Sequence, residues 1–353
     1  MIKYLGSKRR LVPVLGDLAQ RAGARTALDL FTGTTRVAQE LKRRGAFTWA
    51  VDTARYSEVL ARCYLGTDAR QVDRRALHAA LARLDGLPPR PGYFTETFCR
   101  QARYLQPANG ARVDAIRDAL EDEYADSPLF PILLTSLLEA ADRVDSTTGV
   151  QMAYLKRWSP RSHQRLSLRS PALLAGPGAT LRGDALELAP LLPDVDFAYL
   201  DPPYNQHSYY RNYHVWETLV AWDAPAHYGV ACKRADCRDA ANRSPFNSRP
   251  AFRAALAGVL DAVRARVLVL SYNDEAWVSL EELVALCSPR GTVAVLAFDS
   301  KRYVGAQIGI HNPAGKPVGK VRRLRNVEYL LVSGEAAEVS RALGASAPAT
   351  LAA

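Results

Sequence analysis

The chain has 353 residues, of which 48% are hydrophobic, 23% charged and 8% aromatic, a composition that excludes disordered and fibrous classes and leaves an ordinary globular protein. Its 46 Lys and Arg against 36 Asp and Glu give a net charge of +10, which favours an anionic partner such as nucleic acid and equally fits solubility alone. Five scattered cysteines (Cys63, Cys99, Cys232, Cys237, Cys287) argue against a disulfide framework, and with no signal-peptide start and no apolar run of about 18 residues a soluble cytoplasmic protein, not a membrane one, is expected.

In chain order, the first distinctive segment is Lys3-Tyr4-Leu5-Gly6-Ser7-Lys8. From Thr26 the run TALDLF reads as a strand ending near Asp29, and TGTTRVAQELKRRG reads as a helix closed by Gly45. FTWAVD follows as a second strand ending in Asp52. Strand, Gly-containing turn, helix and acid-terminated strand is the opening of a doubly wound α/β sheet. Residues 61–177 then read as a mainly helical insertion (VDRRALHAALARL, VDAIRDALEDEYA, FPILLTSLLEAADRV), punctuated at LPPRPG and GPG. Strand-like runs return as ATLRGD, FAYLDPPY, RVLVLSYND, GTVAVLAF and NVEYLLVS, so the sheet is expected to be split as 1–60 and 178–335. The Ala- and Ser-rich residues 336–353 read as a frayed helix or flexible tail.

Asp201-Pro202-Pro203-Tyr204 directly follows the apolar strand FAYL. In open α/β sheets ligands bind beyond the carboxyl ends of the strands, which puts this tetrapeptide at the binding crevice. Two consecutive prolines lack N–H donors and fix φ, so the Asp201 carboxylate and the Asp201 and Pro202 carbonyls form a rigid cluster of acceptors suited to an amino group. Tyr204 adds a flat face on which a base can stack. An ordinary turn after a strand is the competing reading of the same four residues.

Taken with Lys3–Lys8, the Asp29-Leu30-Phe31-Thr32-Gly33 turn and Asp52, the sequence resembles the Dam-like N6-adenine DNA methyltransferases over most of residues 1–60 and 178–335. That resemblance implies an α/β, Rossmann-like methyltransferase sheet that uses S-adenosylmethionine, with residues 61–177 as an inserted helical target-recognition domain. It implies catalysis by Asp201, Pro202, Pro203 and Tyr204. Tyr4, Gly6, Lys8, Asp29, Phe31, Gly33, Asp52, Asp184 and Asp201 are the implied cofactor-binding set. Within it Asp52 would take the ribose hydroxyls, Lys8 would contact the cofactor and its carboxylate, and Asp184 would lie near the adenine, with helix N-capping as the equal alternative for Asp184. The family commonly has glycine where Thr35 stands, and a β-branched residue there restricts φ. N4-cytosine DNA methylation, N6-adenine RNA methylation and a catalytically inactive DNA-binding relative stay open.

Two acid-free runs are expected to face duplex DNA. One holds Lys156, Arg157, Arg161, Arg165, Arg169 and Arg182, and the other Lys301, Arg302, Lys316, Lys320, Arg322, Arg323 and Arg325. Tyr209, Tyr213, Trp216 and Val220, spaced 4, 3 and 4, fall on one face of a helix through QHSYYRNYHVWETLVAW and read as core. His207, His214, His227, Cys232 and Cys237 match no zinc spacing, so no metal is expected. Asn273 reads as a pocket or turn residue. The expected partners are duplex DNA and a cognate restriction endonuclease acting separately, with the chain a monomer or weak dimer.

Overall fold

Seven short runs become the strands of one sheet: β1 (Thr26–Asp29), β2 (Phe47–Asp52), β3 (Gly178–Arg182), β4 (Val195–Leu200), β5 (Ala265–Asn273), β6 (Thr292–Lys301) and β7 (Arg325–Gly334). The computed structural model describes residues 2–4, 8–152, 154–155, 157–274, 277–301, 310–311, 317–319 and 325–344. In space the strands run β3-β2-β1-β4-β5-β7-β6, with β7 antiparallel to both of its neighbours and the other pairings parallel.

β4 shows why so short a run holds the centre. Phe197 and Tyr199 enter the core on one face, while Ala198 and Leu200 enter the core on the other, the period-2 alternation of a strand covered on both sides. The first face is covered by α1 (Val12–Arg21) and α2 (Arg36–Arg43), joined by the C-terminal helix Ala336–Leu343. Residues 336–343 are thus an ordered helix rather than the start of a flexible tail. Val339 and Ala342 are buried and Arg21 donates to the Leu343 carbonyl, so an apolar stripe and a capped end hold a segment whose composition alone reads as loose. Residues 345–353 lie outside the described residues.

Between β2 and β3 the chain forms α3 (Arg55–Ala61), α4 (Arg74–Asp85), α5 (Pro107–Tyr124) and α6 (Phe130–Arg143). Two π-helical turns, Arg62–Gly66 and Thr95–Gln101, are not visible in the periodicity. Lys42 of α2 donates to the carbonyls of Tyr64, Leu65 and Thr67, supplying the wide first turn with the donors its geometry leaves out. The helical core runs from Ala54 to Leu168 and also takes in Tyr213, Val215, Trp216 and Leu219, so it shares its interior with the segment that follows Asp201-Pro-Pro-Tyr.

After β3 come α7 (Ala185–Leu188), α8 (Tyr209–Asn212), α9 (His214–Ala221), α10 (Arg249–Ala262) and α11 (Leu280–Cys287). The single helix expected through Tyr209 and Trp216 is broken at Tyr213, whose φ of −124° and ψ of 28° leave the helical region. Tyr213 and Trp216 are buried as expected. Arg117 of α5 closes the other end of α9, donating from Nε to the Leu219 carbonyl (2.9 Å) and from Nη2 to that of Val220 (3.0 Å). No helix among the described residues is long and apolar enough to cross a membrane.

Candidate active site

The β1–β2 end of the crevice is made from the turn between them. Asp29, 1% exposed, accepts from the Thr32 hydroxyl (3.0 Å) and the Ala38 N–H (3.0 Å) through one oxygen. Its other oxygen is buried with no hydrogen-bond partner among the described residues. Burial, offset in part by these bonds and reinforced by Asp201 and Asp52, pushes the Asp29 carboxyl up to about 7. Asp52 accepts from the Gly33 N–H (2.8 Å) and the Ala54 N–H (3.0 Å), and burial raises its carboxyl above the usual range.

Gly33 has φ +50°, and a Cβ there would stand 2.9 Å from the Tyr4 ring, so what presses on this glycine is the aromatic wall of the pocket itself. Thr35 takes the left-handed conformation, φ +62°, that favours glycine. It is held there by its N–H to the Thr32 carbonyl (2.6 Å), its hydroxyl to the Thr34 carbonyl (2.7 Å) and a bond from Gln39 Nε2 (2.8 Å). The side chain is fully buried and bonded to α2, so the departure from glycine is absorbed by the helix.

The β4 end carries Asp201-Pro202-Pro203-Tyr204, and Asp201 and Pro203 line one pocket with Tyr4, Phe31, Asp52 and Asp184. Lys8, 6% exposed, places its ammonium 3.3 Å from Asp201 Oδ1, bonds Glu328 of β7 and stands 5.8 Å from the centre of the Tyr204 ring. Lys8, expected to meet the cofactor's carboxylate, is therefore placed against two carboxylates of the chain. Burial opposes its charge, but Asp201, Tyr204, Tyr199 and Glu328 outweigh this and raise its pKa well above the ordinary value. Burial pushes Asp201 up to about 6, with Lys8 lowering and Glu328 raising it. Tyr204 packs on Tyr272 of β5 with ring centres 5.2 Å apart. Gly6 lies outside the described residues.

The pocket is walled by aromatic rings. Tyr4 stacks on both Tyr209 (5.2 Å, 24° between planes) and Tyr213 (4.7 Å, 17°), which also stack on each other (6.3 Å). Glu217 of α9 reaches back to accept from the Arg55 N–H at 3.1 and 3.2 Å, so the helix that follows the Asp201–Tyr204 turn caps the helix after Asp52. Asp184 accepts from the Leu186 N–H (2.8 Å), so it caps α7 as the alternative reading expects, and it also lines the pocket. The segment Asn242–Asn247 forms a further wall that sequence reasoning missed. Asn242, Ser244, Phe246 and Asn247 line the pocket, Phe246 meets Phe31 edge-on at 5.1 Å, and Asn247 donates to the Asn205 and His207 carbonyls (2.8 and 3.2 Å). The sole hint was a Pro-Phe-Asn turn before a helix. Asn273 ends β5 and pairs in register with Glu328.

Comparison with known proteins agrees with this geometry. Residues 4–281 match the family model described as D12 class N6 adenine-specific DNA methyltransferase. The chain belongs to this family. It is 29% identical over 318 residues to the type II methyltransferase M.NlaIII of Neisseria lactamica, covering 86% of this chain and 92% of that protein. It is 28% identical to the type II methyltransferase M.CviAII of Paramecium bursaria Chlorella virus 1, with 86% and 92% covered, and 26% identical to the modification methylase StsI of Streptococcus sanguinis, of which the match spans 49%. The activity of this adenine-specific methyltransferase is site-specific methylation of adenine N6 in DNA, which selects one of the readings the sequence left open.

The methyltransferase's basic residues are not equivalent. Arg161 is held by buried Asp145, donating from Nη2 to Oδ1 (2.6 Å) and to the Thr147 carbonyl (2.7 Å). Arg165 pairs with Asp85 (3.1 Å) and Arg182 with Glu58 (2.9 Å). Arg157 is exposed, and the neighbouring Trp158 ring carries the Arg103 guanidinium 4.7 Å from its centre. Lys156, Arg302, Lys316, Lys320, Arg322 and Arg323 lie outside the described residues, as do the side chains of Lys301 and Arg325. His214, one of the residues weighed as a zinc ligand, is buried with Nε2 2.9 Å from the Gln151 carbonyl, and burial lowers its pKa to about 3.

Proposed function

We propose that the pocket seats S-adenosylmethionine along the β1–β2 end and a flipped-out adenine at the β4 end, with direct transfer of the methyl group between them. The bound donor supplies a methyl group on a positively charged sulfur. The observation that carries the reading is that Asp52 and Asp201 line one pocket, with Asp29 buried close enough behind them for the three charges to oppose one another. A cationic ligand in that pocket relieves the repulsion. Asp52 takes the ribose hydroxyls, and Phe31 with Phe246 forms the apolar side of the seat.

At the other end, the Asp201 carboxylate and the Pro202 carbonyl accept the two hydrogens of the target amino group. This directs the nitrogen lone pair toward the methyl group, and Tyr204 stacks on the base. The acceleration comes from positioning and fixed dipoles rather than a covalent intermediate. Base flipping costs a few kcal/mol of unstacking, which contacts from the helical layer and its basic side chains offset. We assign target recognition to that layer, residues 61–177. A companion restriction nuclease, acting separately, fits the names of the modification relatives.

Two measurements test the proposal. Labelled methyl groups from S-adenosylmethionine, followed by nucleoside analysis of duplex DNA, give N6-methyladenine; product confined to RNA or to cytosine overturns it. In calorimetry, Asp52→Asn weakens S-adenosylmethionine about 10–100-fold, the loss expected for a charged hydrogen-bond acceptor. Unchanged affinity removes Asp52 from the seat.

A further inference from the structure

Lys8 and Glu328 are 320 residues apart in sequence, yet they meet beside the carboxylate that receives the target base. Glu328 sits in β7, paired in register with Asn273 of β5 and Phe298 of β6, so its backbone is fixed from both sides of the sheet. Its side chain is only 17% exposed and that of Lys8 5%, so the ammonium has little water to satisfy its donors and depends on the two carboxylates. Lys8 is thereby held at 3.3 Å from one named oxygen, Oδ1, of Asp201.

We propose that Glu328 is the positioning residue of the transfer site, anchoring Lys8 so that Asp201 is oriented by the ammonium without being neutralised by it. This rests on the functional reading above and adds to it a residue outside the motifs that define the pocket. The physical reason is a division of one positive charge between two acceptors. A carboxylate that alone absorbs a buried ammonium is a poor acceptor for an amino hydrogen, because its charge is already compensated. With Glu328 taking part of the interaction, Asp201 keeps its charge and its fixed direction.

The pH behaviour carries a sign that a merely structural residue would not produce. Asp201 faces Lys8 from the N-terminal segment, Glu328 from β7, Tyr199 from its own strand, Tyr204 from the following turn, Tyr209 from α8 and Asp29 from β1. Among these Glu328 raises the Asp201 carboxyl and Lys8 lowers it, leaving it near about 6. Transfer requires the ionised carboxylate, so activity is lost as pH falls through that value. Removing the Glu328 charge lowers the Asp201 pKa and moves the acid limb to lower pH, even as kcat falls because Lys8 now pairs with Asp201 alone.

The test is steady-state methyl transfer to duplex DNA between pH 5 and 9 for wild type, Glu328→Gln and Glu328→Asp, with folding checked by circular dichroism. For Glu328→Gln the expected result is a kcat about 10-fold lower, a KM for S-adenosylmethionine within twofold, and an acid limb about one pH unit lower. Glu328→Asp keeps the charge and the wild-type acid limb. An unmoved acid limb in Glu328→Gln, a rise in KM with kcat unchanged, or failure of both variants to fold overturns the proposal. Absence of transfer by the wild-type protein instead overturns the functional reading on which it rests.

Discussion

The crevice at the ends of the strands and the helical layer beside it use charged side chains in opposite ways. In the helical layer, buried charges are spent largely on the chain's own backbone and carboxylates, although Arg117 Nη1 is buried with no hydrogen-bond partner among the described residues. Arg112 donates to the Leu166 and Asp85 carbonyls, Arg117 to those of Leu219 and Val220, and Asp114 accepts from the N–H groups of Gly92, Phe94 and Thr95. At the crevice the charges are left with capacity. Asp52 and Asp201 line the pocket, and Asp201 shares Lys8 with Glu328. A charge count therefore does not locate a binding surface; what matters is whether the fold has already used the charge.

The largest effect that tests this contrast is at Asp201. Asp201→Ala is expected to reduce methyl transfer by about 10³-fold or more, since it removes the acceptor aimed at the reacting amino group. Wild-type turnover in this variant would break the contrast at its functional side. On the structural side, Arg117→Met should cost about 2–4 kcal/mol of stability, read from urea titration, because it uncaps α9 and leaves two buried carbonyls without donors. Arg117 is fully buried and also stacks near Trp222 (5.4 Å) and Phe130 (5.6 Å), so methionine keeps part of the packing but none of the capping. A loss below about 0.5 kcal/mol would show that these hydrogen bonds contribute nothing net.

Legibility in the sequence follows the same division. Asp29, Phe31, Gly33 and Asp52 could be read because one turn and two strand ends carry them, and local pattern is enough. Asp201-Pro-Pro-Tyr stood out because two prolines directly after an apolar strand fix a cluster of acceptors at a strand end, although an ordinary turn reads the same way until the other segments are set beside it. Glu328 was not legible, since it is an ordinary acid in a strand until the sheet order brings β7 beside β5 and the N-terminal segment across them. Asn247 and Phe246 were missed for a related reason, as their roles depend on a long excursion returning to the crevice. The break at Tyr213 was hidden because the 4, 3, 4 spacing survives it. Thr35 looked like a defect in the turn, and only its bond from Gln39 shows how the left-handed conformation is maintained.

The smallest expected effect separates two neighbours that sequence treats alike. Arg157 is exposed, whereas Arg161 is tied to Asp145, a carboxylate that Lys3 also approaches at 3.2 Å. If the helical layer meets DNA through charge the fold has not already used, Arg157→Gln should reduce the slope of log affinity against log salt by about 0.9, one phosphate contact, with stability within ±0.5 kcal/mol of wild type. Arg161→Gln should do the reverse, leaving the slope nearly unchanged and lowering stability, because the buried Asp145 Oδ1 loses its two guanidinium donors. Filter-binding titrations at several salt concentrations, paired with thermal melts, read both quantities. A salt slope that drops equally in the two variants would mean that Arg161 exchanges Asp145 for phosphate on binding, and the division between used and available charge would then describe the free protein alone.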